Sequence, residues 1–192
     1  ELLAFTRMTC DLIENMRRLE KPVIGAINGT TCGAGAVIAA ACDLRIASPN
    51  ARIAFLFTKV GLSGADMGAA WLLPRIVGLG VASELLLTGD FIDAARALAI
   101  GLYNRVVPEA ELEVEASAWA RQLAAGPSLG LAITKRMLNA EASLDLESAM
   151  QVEGWVQAEC MQHPDYREAY DAFMAKRAPA FKRSSGSGNP SR

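Results

Sequence analysis

The residues best placed to do chemistry are Gly33-Ala34-Gly35, in the stretch Lys21–Ser48, KPVIGAINGTTCGAGAVIAAACDLRIAS. Pro22 precedes an apolar run, Val23–Ile27, that reads as a buried strand, and Asn28-Gly29 breaks it. Gly33-Ala34-Gly35 then opens a small-residue helix. A strand, a glycine-rich bend and a helix start leave backbone N–H groups unpaired and aimed outward. Such a place stabilises negative charge, on a phosphate or on the oxygen of an enolate. Two other readings stand beside it. The glycines could serve helix–strand packing alone, or Gly33-x-Gly35 could belong to a dinucleotide-binding turn. That fingerprint needs a third glycine and an acid about 20 residues on, and neither is in register here.

Other reactive groups are sparse. The loop Gly61–Gly68 carries one acid, Asp66, which could also cap a helix starting near Met67. Asp43 reads as a structural residue that fixes the end of its helix and the next strand. His163 is the single histidine and leaves no His-based metal site, so no metal is expected. Cys10, Cys32, Cys42 and Cys160 show no Cys-x-x-Cys spacing and read as reduced thiols. With no export signal in ELLAFTRMTCDLIENMRRLE, the expected location is cytoplasmic.

The elements that must position these groups follow from pattern. The chain has 192 residues, 52% hydrophobic, with a net charge of −2 and no basic block, so neither nucleic acid nor a membrane surface is an expected partner. No apolar run reaches the ~18–20 residues needed to span a bilayer. Leu2, Leu3, Phe5, Met8, Leu12, Ile13, Met16 and Leu19 form a helical stripe without a cap at its start. Strands are expected at 23–27, 43–47, 52–57 and 102–107, and early helices at 35–42, 69–73, 81–87 and 94–99. Pro74 is expected to break or redirect the chain. Helices at 111–125, 129–142, 146–160 and 166–177 follow, and SSGSGNPSR at 184–192 reads as a disordered tail. Arg17, Arg18 and Lys21 read as solvated, and no internal repeat is visible. The fold class is an α/β core over 1–125 with a helical region over 126–183.

Four collinear segments resemble the crotonase superfamily, the enoyl-CoA hydratase/isomerase family. They are KPVIGAINGTTCGAGAVIAAACDLRIAS, VGLSGADMGAAWLLPRIVG, LLLTGDFIDAARALAIGLYNRVVP and HPDYREAYDAFMAKRAPAF. The resemblance implies a spiral of β-β-α units with a helical, trimerising C-terminal region, assembled as trimers or dimers of trimers. It implies an acyl-CoA thioester substrate with no separate cofactor, coenzyme A being part of the substrate. It also implies an upstream portion that carries a second oxyanion donor. The chain is therefore expected to be a C-terminal fragment, poorly active alone.

By the same resemblance, the N–H of Ala34, flanked by Gly33 and Gly35, is an oxyanion donor. The two glutamates of the hydratases fall at Val37 and Phe57, which move no protons. Asp66 matches an aspartate used by dienoyl-CoA isomerases and aryl-CoA dehalogenases, so isomerase-like proton transfer is favoured over hydration. Phe55, Leu56, Phe57, Met67 and Trp71 are candidates for an acyl pocket. Lys176, Arg177 and Phe181 match a segment that approaches the CoA nucleotide of a neighbouring subunit. The alternative is a non-catalytic CoA-binding or assembly module of the same fold.

Overall fold

The computed structural model describes residues 1–181, and the expected disordered tail at 184–192 lies outside the described residues. The chain divides into two compact units, Glu1–Trp119 and the part from Ala120 onward.

The first unit opens with α1 (Leu2–Arg18), whose N-cap Glu1 makes no side-chain cap bond. Most of its apolar stripe faces outward, and Ile13 is its buried residue. Arg17 corrects the surface expectation. Packing of α1 on α2 (Ala34–Ala41) carries its guanidinium over the end of that helix, where it donates to Ala41 O and Asp43 Oδ1, both at 3.1 Å. Asp43 Oδ2 in turn accepts the Val23 N–H at 2.8 Å, the structural role expected of it.

Strands β1 (Ile24–Ile27), β3 (Leu44–Ala47) and β6 (Arg105–Val106) form a parallel sheet in the order β1-β3-β6. Strands β2 (Thr30–Cys32), β4 (Arg52–Ala54) and β5 (Ile92–Asp93) form a second sheet, with β2–β4 parallel and β4–β5 antiparallel. The chain passes from the first sheet to the second at Asn28-Gly29 and again between Ser48 and Ala51. Ile24 therefore pairs with Leu44, and Thr30 with Arg52. The step β1-β2-α2 recurs as β3-β4 followed by α3 (Ala69–Val77). A structural repeat exists where no sequence repeat was visible, because the repeat lies in pairing and not in side-chain identity. This is the spiral of β-β-α units that the resemblance implies.

Several expected boundaries shift. β4 stops at Ala54, whose carbonyl accepts the Gly33 N–H at 3.1 Å, because its partner β2 ends there as Gly33 turns the chain into α2. Leu56–Val60 then winds into a 3₁₀ turn. α3 runs through Pro74, whose missing donor costs only the bond to the carbonyl of exposed Ala70. The strand expected at 102–107 shrinks to Arg105–Val106, since Leu102 O is taken by the Arg45 side chain. β2 and β5 were not anticipated, being three and two residues long. α4 (Leu79–Thr88) packs on α3, and Asp93 caps α5 (Ala94–Ala99) by accepting the Arg96 N–H at 2.8 Å. The core gathers Ala36, Val37 and Ala39 to Ala41 of α2 with Ile53, Phe55, Leu72, Leu73 and Tyr103.

The division between the units falls inside α6 (Leu112–Ala124). In the second unit, α7 (Ser128–Ala140) packs on α8 (Leu146–Gln162), and α8 on α9 (Pro164–Met174). Asp145 caps α8, accepting the Ser148 N–H at 2.9 Å. His163 Nδ1 caps α9, accepting the Asp165 N–H at 3.2 Å. α9 ends short of the expected 177, because Lys176 adopts φ +52°.

Candidate active site

The start of α2 is built by one glycine. Gly33 has φ +54° and ψ −124°, a conformation open to glycine and strained for other residues. A Cβ there would meet nothing within 4 Å among the described residues, so the demand is on backbone angle and not on space. The Gly33 carbonyl accepts the N–H groups of Ala36 and Val37 at 3.0 and 3.2 Å. The N–H groups of Ala34 and Gly35 make no hydrogen bond among the described residues. Ala34 is exposed, and among the described residues no side chain caps the helix and no acid stands in its first turn. Two adjacent free donors and the positive end of a helix dipole thus meet solvent together, able to bind a developing oxyanion.

The other end of α2 is held by Arg45, which sequence reasoning passed over. The signal was there: one arginine inside the apolar strand DLRIA. Its buried guanidinium donates to Cys42 O, to Ala39 O at 3.4 Å and Ala40 O at 3.3 Å, and its Nε to Leu102 O at 2.6 Å. Burial pushes the guanidinium down from its ordinary value, with Cys42 acting the other way. A cation on the last carbonyls of α2 complements the dipole whose other end carries Ala34.

Asp66 lies in the Gly61–Gly68 loop. The expected alternative, a side-chain cap, is not what the structure has. α3 starts at Ala69 with Gly68 as N-cap and no side-chain cap bond, and it is the Asp66 carbonyl that accepts the Ala69 N–H, at 2.8 Å. The half-buried Asp66 carboxylate has no hydrogen bond or ion pair among the described residues. Met67 and Gly68 follow it with φ +49° and +86°, so the chain turns sharply just after the acid. α2 packs against α3, so the helix bearing the free donors and the helix that Asp66 precedes share one core.

Val37 and Phe57 are 0% and 7% exposed, and both are apolar core residues. Phe57 and Met67, expected in an acyl pocket, are packed in that same core, Met67 at 4% exposure, a placement that presents little surface to a ligand. Lys176 and Phe181 belong to the second unit, Lys176 exposed in its left-handed turn and Phe181 half-buried. Arg177 is engaged locally, its Nη1 and Nη2 forked on Glu168 Oε1 and Oε2 at 2.5 and 2.9 Å, while the Ala180 N–H donates to Oε1 at 2.7 Å. Those bonds, Arg177 first, hold the Glu168 carboxyl down at about 2. Among the described residues, no group of three or more His, Cys, Asp or Glu is placed to hold a metal, and no helix is long and apolar enough to cross a membrane.

Comparison with known proteins agrees with this architecture. The family profile for enoyl-CoA hydratase/isomerase matches residues 4–184. That match covers most of the chain and does not bear out the expected C-terminal fragment of the domain. The chain is 38% identical over 170 residues to a 1,2-epoxyphenylacetyl-CoA isomerase of Escherichia coli (strain K12), covering 88% of this chain and 64% of that protein. It is 36% identical over 166 residues to a short-chain-enoyl-CoA hydratase of Clostridium acetobutylicum, covering 86% and 63%. It thus spans just under two thirds of the length of these relatives. A crystal structure from Streptomyces coelicolor A3(2) superposes with a TM-score of 0.92 at 47% identity, over 94% of this chain and 66% of that one. With β-β-α units, a glycine-set helix start and a profile match along nearly all its length, the chain belongs to the enoyl-CoA hydratase/isomerase family, the crotonase superfamily.

Proposed function

We propose that the protein is an acyl-CoA enzyme that stabilises a thioester enolate at the start of α2 and moves a proton through Asp66. The observation that carries this reading is the pair of free N–H groups at Ala34 and Gly35, on a helix that packs against the helix following Asp66. In the favoured reaction, the Asp66 carboxylate takes a proton from C2 of a 3-enoyl thioester. The C–H electron pair moves through the carbonyl onto oxygen, where the α2 donors hold it as a dienolate. The Asp66 carboxyl then returns a proton to C4, leaving the 2-enoyl thioester. One carboxylate suffices for this shuttle. Adding water across the double bond would call on acid–base groups where this chain has Val37 and Phe57, both apolar.

The relatives' names include an isomerase and a hydratase, so support for isomerase-like transfer comes from these residues. The proposal includes acyl-CoA as substrate, no cofactor beyond it, self-association as a trimer or dimer of trimers, and a cytoplasmic location. Lys176 and Phe181 remain in it as contacts to the CoA nucleotide of a neighbouring subunit.

The test is Asp66→Asn, assayed on 3-enoyl-CoA for double-bond migration and on 2-enoyl-CoA for hydration. Migration is expected to fall by about 10²–10⁴-fold, with less effect on hydration. Unchanged rates in both assays would remove Asp66 from the chemistry. A wild-type protein that binds CoA thioesters but turns over neither would favour the non-catalytic module.

A further inference from the structure

Asp66 is useful as a proton shuttle only if its carboxylate is held in one place, yet it has no hydrogen-bond partner among the described residues to hold it. The backbone on either side of it is fastened instead. Two positions before it, Gly64 lies so close to α4 that a Cβ would sit 2.7 Å from the Leu86 carbonyl oxygen and 3.2 Å from Leu86 Cβ. One position after it, Met67 is the buried side chain of the Gly61–Gly68 loop, 4% exposed and part of the core. Met67 keeps φ +49°, which strains a residue with a Cβ and persists only where the surroundings enforce it. Burial of its side chain is the force available to do so. Between these fixed points, Ala65 donates its N–H to Ser63 Oγ at 3.0 Å and Asp66 is half-buried.

We propose that Gly64 and Met67 are positioning residues, a two-point clamp that fixes the Asp66 carboxylate for proton transfer. The inference rests on the reading of Asp66 as the acid–base group. Gly64 admits the close approach to α4, and Met67 anchors the turn in the core. A shift of about 1 Å in a reacting group can cost on the order of 10²-fold in rate. Loosening either point therefore acts through Asp66 and on the chemical step.

The experiment compares Gly64→Ala, Met67→Ala and Met67→Leu, each alone and combined with Asp66→Asn, by steady-state kinetics on 3-enoyl-CoA and by amide hydrogen exchange. Gly64→Ala and Met67→Ala are expected to lower kcat roughly 10- to 100-fold with KM little changed. Met67→Leu, which keeps the anchor's volume, is expected to restore most of kcat. In the Asp66→Asn background neither clamp variant should lower the rate further. Exchange should quicken at residues 65–68 and stay unchanged in α2. If Met67→Ala does not fold, Gly64→Ala carries the same comparison. Equal losses with and without Asp66, or wild-type exchange in the loop, would overturn the clamp. Full rate in Asp66→Asn alone would strike the acid–base reading and the clamp with it. Full rate in the clamp variants beside a slow Asp66→Asn would strike the clamp alone.

Discussion

At the scale of the residue, the chemistry proposed for α2 resides in a backbone N–H and not in a side chain, which makes Ala34 hard to probe by ordinary substitution. Proline provides the probe. Ala34 is the first residue of α2, where a proline ring fits and no intrahelical bond is lost. The residue before it, Gly33, has ψ −124°, far from the α range that a following proline disfavours. Ala34→Pro is therefore expected to keep the fold while deleting one donor. Turnover should fall by roughly 10²–10³-fold, with little change in the urea midpoint. A folded variant at full rate would return Gly33–Gly35 to a packing role. Ala34→Gly keeps the N–H and should stay active.

At the scale of the element, the segment after α9 is held by charge. Arg177 forks onto Glu168, and the Ala180 N–H shares the same carboxylate, so the chain doubles back along the helix it has just left. The carboxyl is held at about 2, against an ordinary 4.5. A depressed carboxyl favours the folded arrangement above its ordinary value, where both states are ionised. That contribution is lost as pH falls from 4.5 through about 2 and the folded carboxyl takes up its proton. The Ala180 amide resonance is expected to titrate with a midpoint near 2 and to lose that titration in Glu168→Gln. The pair lies at the surface, so the melting temperature should move little. A midpoint near the ordinary value would show that the fork is not maintained in solution.

At the scale of the molecule, the second unit exposes more large apolar surface than a solitary helical unit has reason to. Trp155 on α8 is 82% exposed and Phe173 on α9 is 80% exposed, with Leu146, Met150 and Met174 also out in solvent. No residue of α8 is buried. Apolar patches of this kind mark surfaces that bind other molecules, and the self-association proposed above would cover them. Because Trp155 is exposed and lies outside the buried core of the described residues, Trp155→Glu should leave the circular dichroism spectrum intact. It should move the protein to a smaller species in sedimentation velocity. A wild-type protein that sediments as a monomer, or a variant that keeps the wild-type assembly, would count against self-association through α8.

The order of the helices and of the longer strands, and the free helix start, were legible in the sequence, because they depend on neighbours along the chain. Gly33 is where a backbone must turn left-handed, the alanines of α2 permit close packing, and the period of α6 to α9 is local. The three-residue β2 and two-residue β5 were not legible, since strands so short exist only through partners brought from elsewhere. The same holds for Arg17 and Arg45. Each looks like a surface cation by type, and each is drawn onto carbonyls of α2 by packing that no window of sequence contains. Asp66 shows the division most sharply. Its resemblance to a family aspartate marked it as a candidate, with capping as a rival. The tertiary structure decided that the helix begins at Gly68-Ala69 and leaves the carboxylate free, because Met67 is anchored in the core and forces the turn.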